Sequence, residues 1–169
     1  LAVTFKSILE EFNSDLWGHH IKVPVEYGKL FIDGTERRVL CKINDGDFFP
    51  AGLIPNKEFG YFINVNKATR DSIHLKSGDE VTVILKEDKS KYGIAVSEEF
   101  LAAIEMDPEA SDLFHALTPG KQRSLIYMTV MPKRSETRLN KALVILDFLK
   151  INRGKLNFRL LMQAFKEAN

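Results

Sequence analysis

The chain holds one cysteine, Cys41, and one tryptophan, Trp17, in 169 residues. A lone thiol excludes an internal disulfide framework and a zinc site built on several cysteines. His-x3-His and Cys-x2-Cys spacings are both missing. The neighbours His19 and His20 would point to opposite faces of an extended segment, so the sequence offers no metal site and calls for no cofactor. No apolar run approaches the roughly 18 residues that a membrane span needs. There is no Gly-x-Ser-x-Gly elbow, no Walker loop and no dinucleotide fingerprint, and no catalytic residue is assigned. The opening Leu-Ala-Val-Thr-Phe-Lys lacks the basic and apolar regions of a secretory leader. With the lone thiol, that predicts a cytoplasmic protein.

What is present is an ordinary globular composition, 44% hydrophobic and 28% charged, with a formal net charge of +1. The near-neutral total hides an asymmetry. Residues 118–169 carry 11 Lys and Arg against 3 Asp and Glu, a net of +8, which leaves −7 for residues 1–117. Either the acidic and basic parts dock on each other, or the tail presents a cationic surface to a polyanion.

Residues 1–100 read as short strands separated by turns. Val3-Thr4-Phe5 with Ile8-Leu9 gives an irregular first strand. Ile21–Val25 alternates, with Pro24 placing it at an edge or a strand start. Leu30-Phe31-Ile32, the turn Asp33-Gly34 and Arg38–Ile43 form a hairpin signal. Phe48–Ile54 is apolar but interrupted by Pro50 and Gly52, and Lys57–Gly60 is a turn. Tyr61–Val65, Glu80–Leu85 and Tyr92–Val96 complete the strands, with one helical turn expected over Asn66–Ser72. Ile21-Lys22-Val23-Pro24 followed by Val39–Ile43, and Ile63-Asn64-Val65-Asn66 followed by Val81–Leu85, read as one unit occurring twice. Two such units would close a single barrel about a pseudo-twofold axis.

The pattern changes at Ser97, which caps a helix over Glu98–Met106 with Phe100, Leu101 and Ile104 on one face. Asp107-Pro108 and Thr118-Pro119 are N-cap and first-turn pairs for two more helices. A longer helix starts at Ser135 and stops at Asn152-Arg153-Gly154, with Leu139, Leu143, Leu146 and Ile145-Phe148-Leu149 supplying an apolar stripe, and Phe158, Leu161, Met162 and Phe165 mark a last amphipathic one. The fold expected is α+β: a small pseudo-twofold β-barrel of the double-split or swapped-hairpin type over residues 1–96, then an α-helical region over 97–169.

Val65-Asn66-Lys67-Ala68-Thr69-Arg70 with Ile73–Val83 looks like the swapped-hairpin motif of AbrB/MazE-like barrels. The wider pattern includes Trp17, Val23-Pro24, Ile43-Asn44 and Gly78-Asp79, then Asp107-Pro108, Phe114, Arg123, Lys133 and Glu136-Thr137-Arg138. It resembles a bacterial family of unknown function that joins a small barrel to a bacteriocin-protection (YdeI or OmpD-associated) helical domain. The resemblance implies a role in stress or antimicrobial-peptide resistance. The AbrB-like part implies DNA binding.

Two functional readings stand side by side. The first is a non-enzymatic binding module for a protein or a small anionic ligand. Arg70, Arg123 and Arg138 would be its polar anchors, and Trp17 and Tyr61 its apolar ones. The second is a nucleic-acid-binding regulator whose contacts would be Lys121, Arg123, Lys133, Arg134, Arg138 and Lys141. Arg70 has a competing structural role as an ion-pair partner of Asp79. Several aromatics, among them Phe31, Phe48, Phe49, Phe59 and Phe62, either fill the core or line a groove. Cys41, mid-strand, reads as a small buried hydrophobe. The assembly expected is a monomer if the last helix packs on the preceding one, and a homodimer if it leaves Phe158, Leu161 and Phe165 exposed.

Overall fold

A computed structural model describes residues 1–13, 18–34 and 36–169, so Trp17 lies outside the described residues. The chain divides into two compact units, Leu1–Lys89 and Ser90–Asn169. The first is a nearly closed antiparallel barrel of seven strands in the order β4-β3-β7-β1-β2-β6-β5. Its elements are β1 (Ala2–Glu11), β2 (His19–Val23), α1 (Val25–Gly28), β3 (Arg38–Ile43), β4 (Phe49–Gly52), β5 (Ile54–Asn56), β6 (Gly60–Asn64), α2 (Lys67–Ser72) and β7 (Glu80–Glu87).

Two strands bend to close it. Residues 2–8 of β1 pair with β7, and residues 9–11 pair with β2. In the same way β4 pairs with β3 and β5 with β6, with only Leu53 between them. Leu9 and Leu53 sit at the two corners and are fully buried. The Leu9 amide donates to the Asp79 carbonyl at 2.9 Å, and the Leu53 amide to the Arg37 carbonyl at 2.8 Å. The segment Phe48–Ile54, broken by Pro50 and Gly52 in the sequence, is thus a bent strand that joins the two edges of the sheet.

The same order of elements occurs twice: bent strand, strand, short helix, strand. The halves exchange partners, since β1 of the first pairs with β7 of the second and β4 of the second pairs with β3 of the first. Equivalent buried positions follow: Ile21 and Ile63, Val23 and Val65, Val39 and Val81, Cys41 and Val83, Ile43 and Leu85. The helices match too, with Gly28 N–H donating to the Pro24 carbonyl at 2.9 Å and Arg70 N–H to the Asn66 carbonyl at 3.1 Å. Alternation puts these apolar side chains on one face of each strand and fills a single interior. Cys41, with no exposed surface, has its thiol pushed up to about 12 by burial.

Two expected strand features do not form. Leu30 and Phe31 lie in a single 3₁₀ turn, Lys29–Phe31, and only an isolated Asp33–Glu36 bridge marks the expected hairpin. β3 pairs instead with β4 and β7, because burial of its alternate residues Val39, Cys41 and Ile43 in the barrel outweighs local turn chemistry. Residues 92–96 form no strand. Tyr92, Ile94 and Val96 pack into the core of the helical unit, where the Tyr92 hydroxyl meets His115 Nε2 at 2.8 Å.

The second unit contains α3 (Glu98–Glu105), α4 (Pro108–His115), α5 (Pro119–Val130), α6 (Ser135–Ile151) and α7 (Phe158–Glu167). Ser97, Asp107, Thr118 and Asn157 each accept a hydrogen bond from a first-turn amide, replacing a partner that the helix cannot supply. α6 is central and buries Ala142, Ile145, Leu146, Phe148 and Leu149 against Phe100, Phe114, Leu125 and Ile126. Leu101, Leu139 and Leu143, read as core from their spacing, are exposed. α7 buries Leu161 fully and packs Phe165 on the same core, leaving Phe158 partly exposed.

Leu53→Ala should remove a corner of the barrel and cost about 2–5 kcal/mol, the usual range for a fully buried leucine. Urea unfolding followed by strand-specific amide exchange is expected to show the loss in residues 1–89, with Leu9→Ala giving a similar loss.

Candidate functional site

A cleft of about 650 Å3 opens on the barrel unit. It arises where the sheet comes apart. β5 and β6 are paired at Ile54–Phe62, but beyond that pair β4 follows β3 while β6 continues along β2. The strands therefore diverge, and Pro50, Ala51 and Gly52 face Asn64 and Val65 across a gap.

Main-chain polarity follows from the antiparallel alternation. Val65 N–H donates to the His19 carbonyl, so the N–H and C=O of Asn64 point the other way, toward the cleft. Leu53 N–H donates to the Arg37 carbonyl, so the N–H and C=O of Gly52 also turn toward the cleft. Pro50 lies two residues earlier on the same edge, where a missing N–H breaks no ladder bond.

Two guanidinium groups border this gap. Arg38 lies across Gly52, where an added methyl group would stand 3.5 Å from Arg38 Nη1. Arg70, in the last turn of α2, donates from Nη1 to the Val65 carbonyl at 2.7 Å. This bond positions the guanidinium at the cleft wall. The ion pair expected between Arg70 and Asp79 does not form. Asp79 Oδ2 instead accepts from the Lys76 amide at 2.8 Å and closes its own turn. His19, Asn66 and Gly18 complete the rim, and the described lining contains no carboxylate. Arg38 also borders a smaller acidic hollow formed with Asp33, Glu36, Glu87 and Asp88.

The two adjacent histidines separate as an extended strand requires. His19 lines the cleft, whereas His20 is 2% exposed and stacks on Phe12 at 3.7 Å between ring centroids. Burial holds the His20 pKa below its ordinary value. Phe59 and Phe62 join this aromatic cluster. Phe31 enters the barrel core and Phe48 and Phe49 line a separate small hollow, so none of these aromatics lines the cleft.

The remaining sequence candidates lie elsewhere. Tyr61 packs its ring against Gly28 of α1 and belongs to the barrel core rather than the cleft. Arg138 donates to Glu99 at 2.8 Å and to the carbonyls of Pro132 and Lys133, tying the start of α6 to α3. Lys121 and Arg123 lie in the first turns of α5, and Lys133 and Arg134 follow its far end. Lys141 lies over the Phe165 ring at 5.4 Å. Arg123 is partly buried on α5.

The charge asymmetry of the sequence falls largely inside one unit. Residues 90–169 hold 12 Lys and Arg against 9 Asp and Glu, because acidic α3 and α4 belong with basic α6. Glu99–Arg138 and Asp107–Lys150, the latter at 2.7 Å, join them. Sequence reasoning missed Arg38, Gly52 and Asn64. The available signal was the repeat itself: Arg38 stands where the other half has Glu80, and Arg70 where it has Gly28.

Residues 5–85 match a family described as a domain of unknown function, DUF1905. Residues 94–150 match the family described as Bacteriocin-protection, YdeI or OmpD-Associated. Each match falls within one folded unit. No curated protein matches the chain.

Hydrogen bonds from Arg138 and Ser135 hold the Glu99 carboxyl down to about 2, against an ordinary 4.5. A depressed folded value favours folding above about pH 4.5, and that stabilisation is lost as pH falls toward 2. Thermal melts between these values should fall steadily, and Glu99→Gln should flatten that part of the profile while lowering stability at neutral pH.

Proposed function

We propose that this chain is a non-enzymatic binding module whose barrel cleft takes an anionic group. The observation that carries this reading is that Arg38 and Arg70 line one cleft whose described lining holds no carboxylate. Planar guanidiniums suit carboxylate and phosphate oxygens, and main-chain amides turned toward the same space add donors without side-chain entropy. The buried thiol of Cys41 suits a reducing compartment, and we place the protein in the cytoplasm. Resistance to antimicrobial peptides enters this reading only through the description of the family matched by residues 94–150.

The alternative is an AbrB-like nucleic-acid regulator. It has the basic residues of α5 and α6 in its favour, but Arg138 is engaged by Glu99 and Lys141 lies over the Phe165 ring.

Amide chemical-shift titrations of the full chain with inorganic phosphate and with succinate test the first reading. Saturable shifts at Gly52, Asn64 and Arg70 are expected, and Arg38→Gln with Arg70→Gln should abolish them. Shifts confined to the helical unit would overturn it. Fluorescence anisotropy with labelled duplex DNA tests the second. Tight binding that falls steeply with salt would favour the regulator, because phosphate contacts release counterions.

A further inference from the structure

The two halves of the barrel build the same corner twice, and among the described residues they differ in how it is closed. In the first half, the gap equivalent to the cleft lies between β1 and β2. There the Ser7 hydroxyl donates to the Lys22 carbonyl at 2.9 Å and bridges the strands. Lys22 pairs with Glu10 at 3.1 Å and Lys6 with Glu80 at 3.9 Å, so its charges are matched within the corner. At the equivalent places the second half has Ala51 for Ser7, Asn64 for Lys22, Gly52 for Ile8, Arg38 for Glu80 and Arg70 for Gly28. These changes remove the Ser7 bridge and the Lys22–Glu10 pair and place guanidiniums at two of the positions. The strand edges of Gly52 and Asn64 are left facing the gap, flanked by two guanidiniums.

An exposed strand edge takes an extended chain by main-chain hydrogen bonding. The gap narrows toward the Ile54–Phe62 pair, where the ladder is already complete. A chain entering along the strands must therefore end there. A polypeptide end that suits converging amides and guanidiniums is its terminal carboxylate. Resting on the anion-binding reading above, the geometry points to a specific occupant: the C-terminal end of an extended peptide. Its carboxylate lies at the closed end beside Arg38, its preceding peptide groups bond to the edges at Gly52 and Asn64, and Arg70 flanks the chain nearer the open end.

Four probes test this with the full chain: an acetylated Ala-Ser-Ala-Ser-Ala peptide with a free carboxylate, its C-terminal amide, the free acid N-methylated at its last peptide bond, and inorganic phosphate. The free acid should bind in the cleft, with shifts at Gly52 and Asn64. Amidation and N-methylation should each weaken binding by about tenfold or more, the scale of one charge-assisted or buried hydrogen bond. Arg38→Gln should weaken the free acid and leave the amide unchanged, and Ala51→Ser should weaken all peptides by restoring the bridge. If phosphate binds and the N-methylated acid binds as well as the free acid, the anion site stands and the peptide assignment falls. If the amide binds as well as the acid, terminal-carboxylate capture falls. If neither phosphate nor any peptide shifts the cleft, both readings fall together.

Discussion

Closure of the barrel depends on one operation performed twice: a strand leaves one partner and joins another at a buried leucine. Leu9 and Leu53 anchor these corners with equivalent hydrogen bonds to Asp79 and Arg37. Without the corners the sheet would end in two open edges, β4 and β5, each a template for association. With them, the interior is filled by alternate residues of the longer strands, and a short chain segment obtains a core that one half could not build alone. The corner also creates the cleft. A strand that changes partners leaves main-chain groups unmatched on the inside of the turn, and something must satisfy them.

The helical unit meets a different constraint. Its core is arranged around α6, and polar ties of two kinds hold the surrounding helices. Side-chain caps at Ser97, Asp107, Thr118 and Asn157 start the helices, while Arg138 and Lys150 reach from α6 to the starts of α3 and α4. Asp107 does both tasks, capping α4 through one oxygen and meeting Lys150 through the other. Such ties give two basic residues of α6, Arg138 and Lys150, structural roles.

Much of the architecture was legible because local signals agreed with the final packing. The N-caps with their following prolines fixed the starts of α4 and α5, and the repeat around Ile21 and Ile63 located the paired core strands. The errors share a cause. The bent strand through Pro50 and Gly52 reads as a broken apolar segment, since a proline on an open edge and a glycine beneath an arginine are sensible only once the neighbours are known. The hairpin read at Asp33-Gly34 has sound turn chemistry, but β3 finds its partners far along the chain. Leu139 and Leu143 fit a helical stripe that is wider than the face α6 buries. Of the site, only Arg70 was reached from sequence. Arg38 is an ordinary strand-end arginine until β4 brings Gly52 beneath it, and Trp17 falls outside the described residues.

The partner exchange between halves has an evolutionary side. When two identical chains build a twofold barrel, every substitution appears on both sides of the axis, so a residue that opens one corner opens the other as well. Here the halves are covalently joined and encoded separately. Ser7 and Ala51, or Gly28 and Arg70, can change independently. Joining the halves thus uncouples stability from novelty: one corner keeps its bridge while its twin varies at half the mutational load.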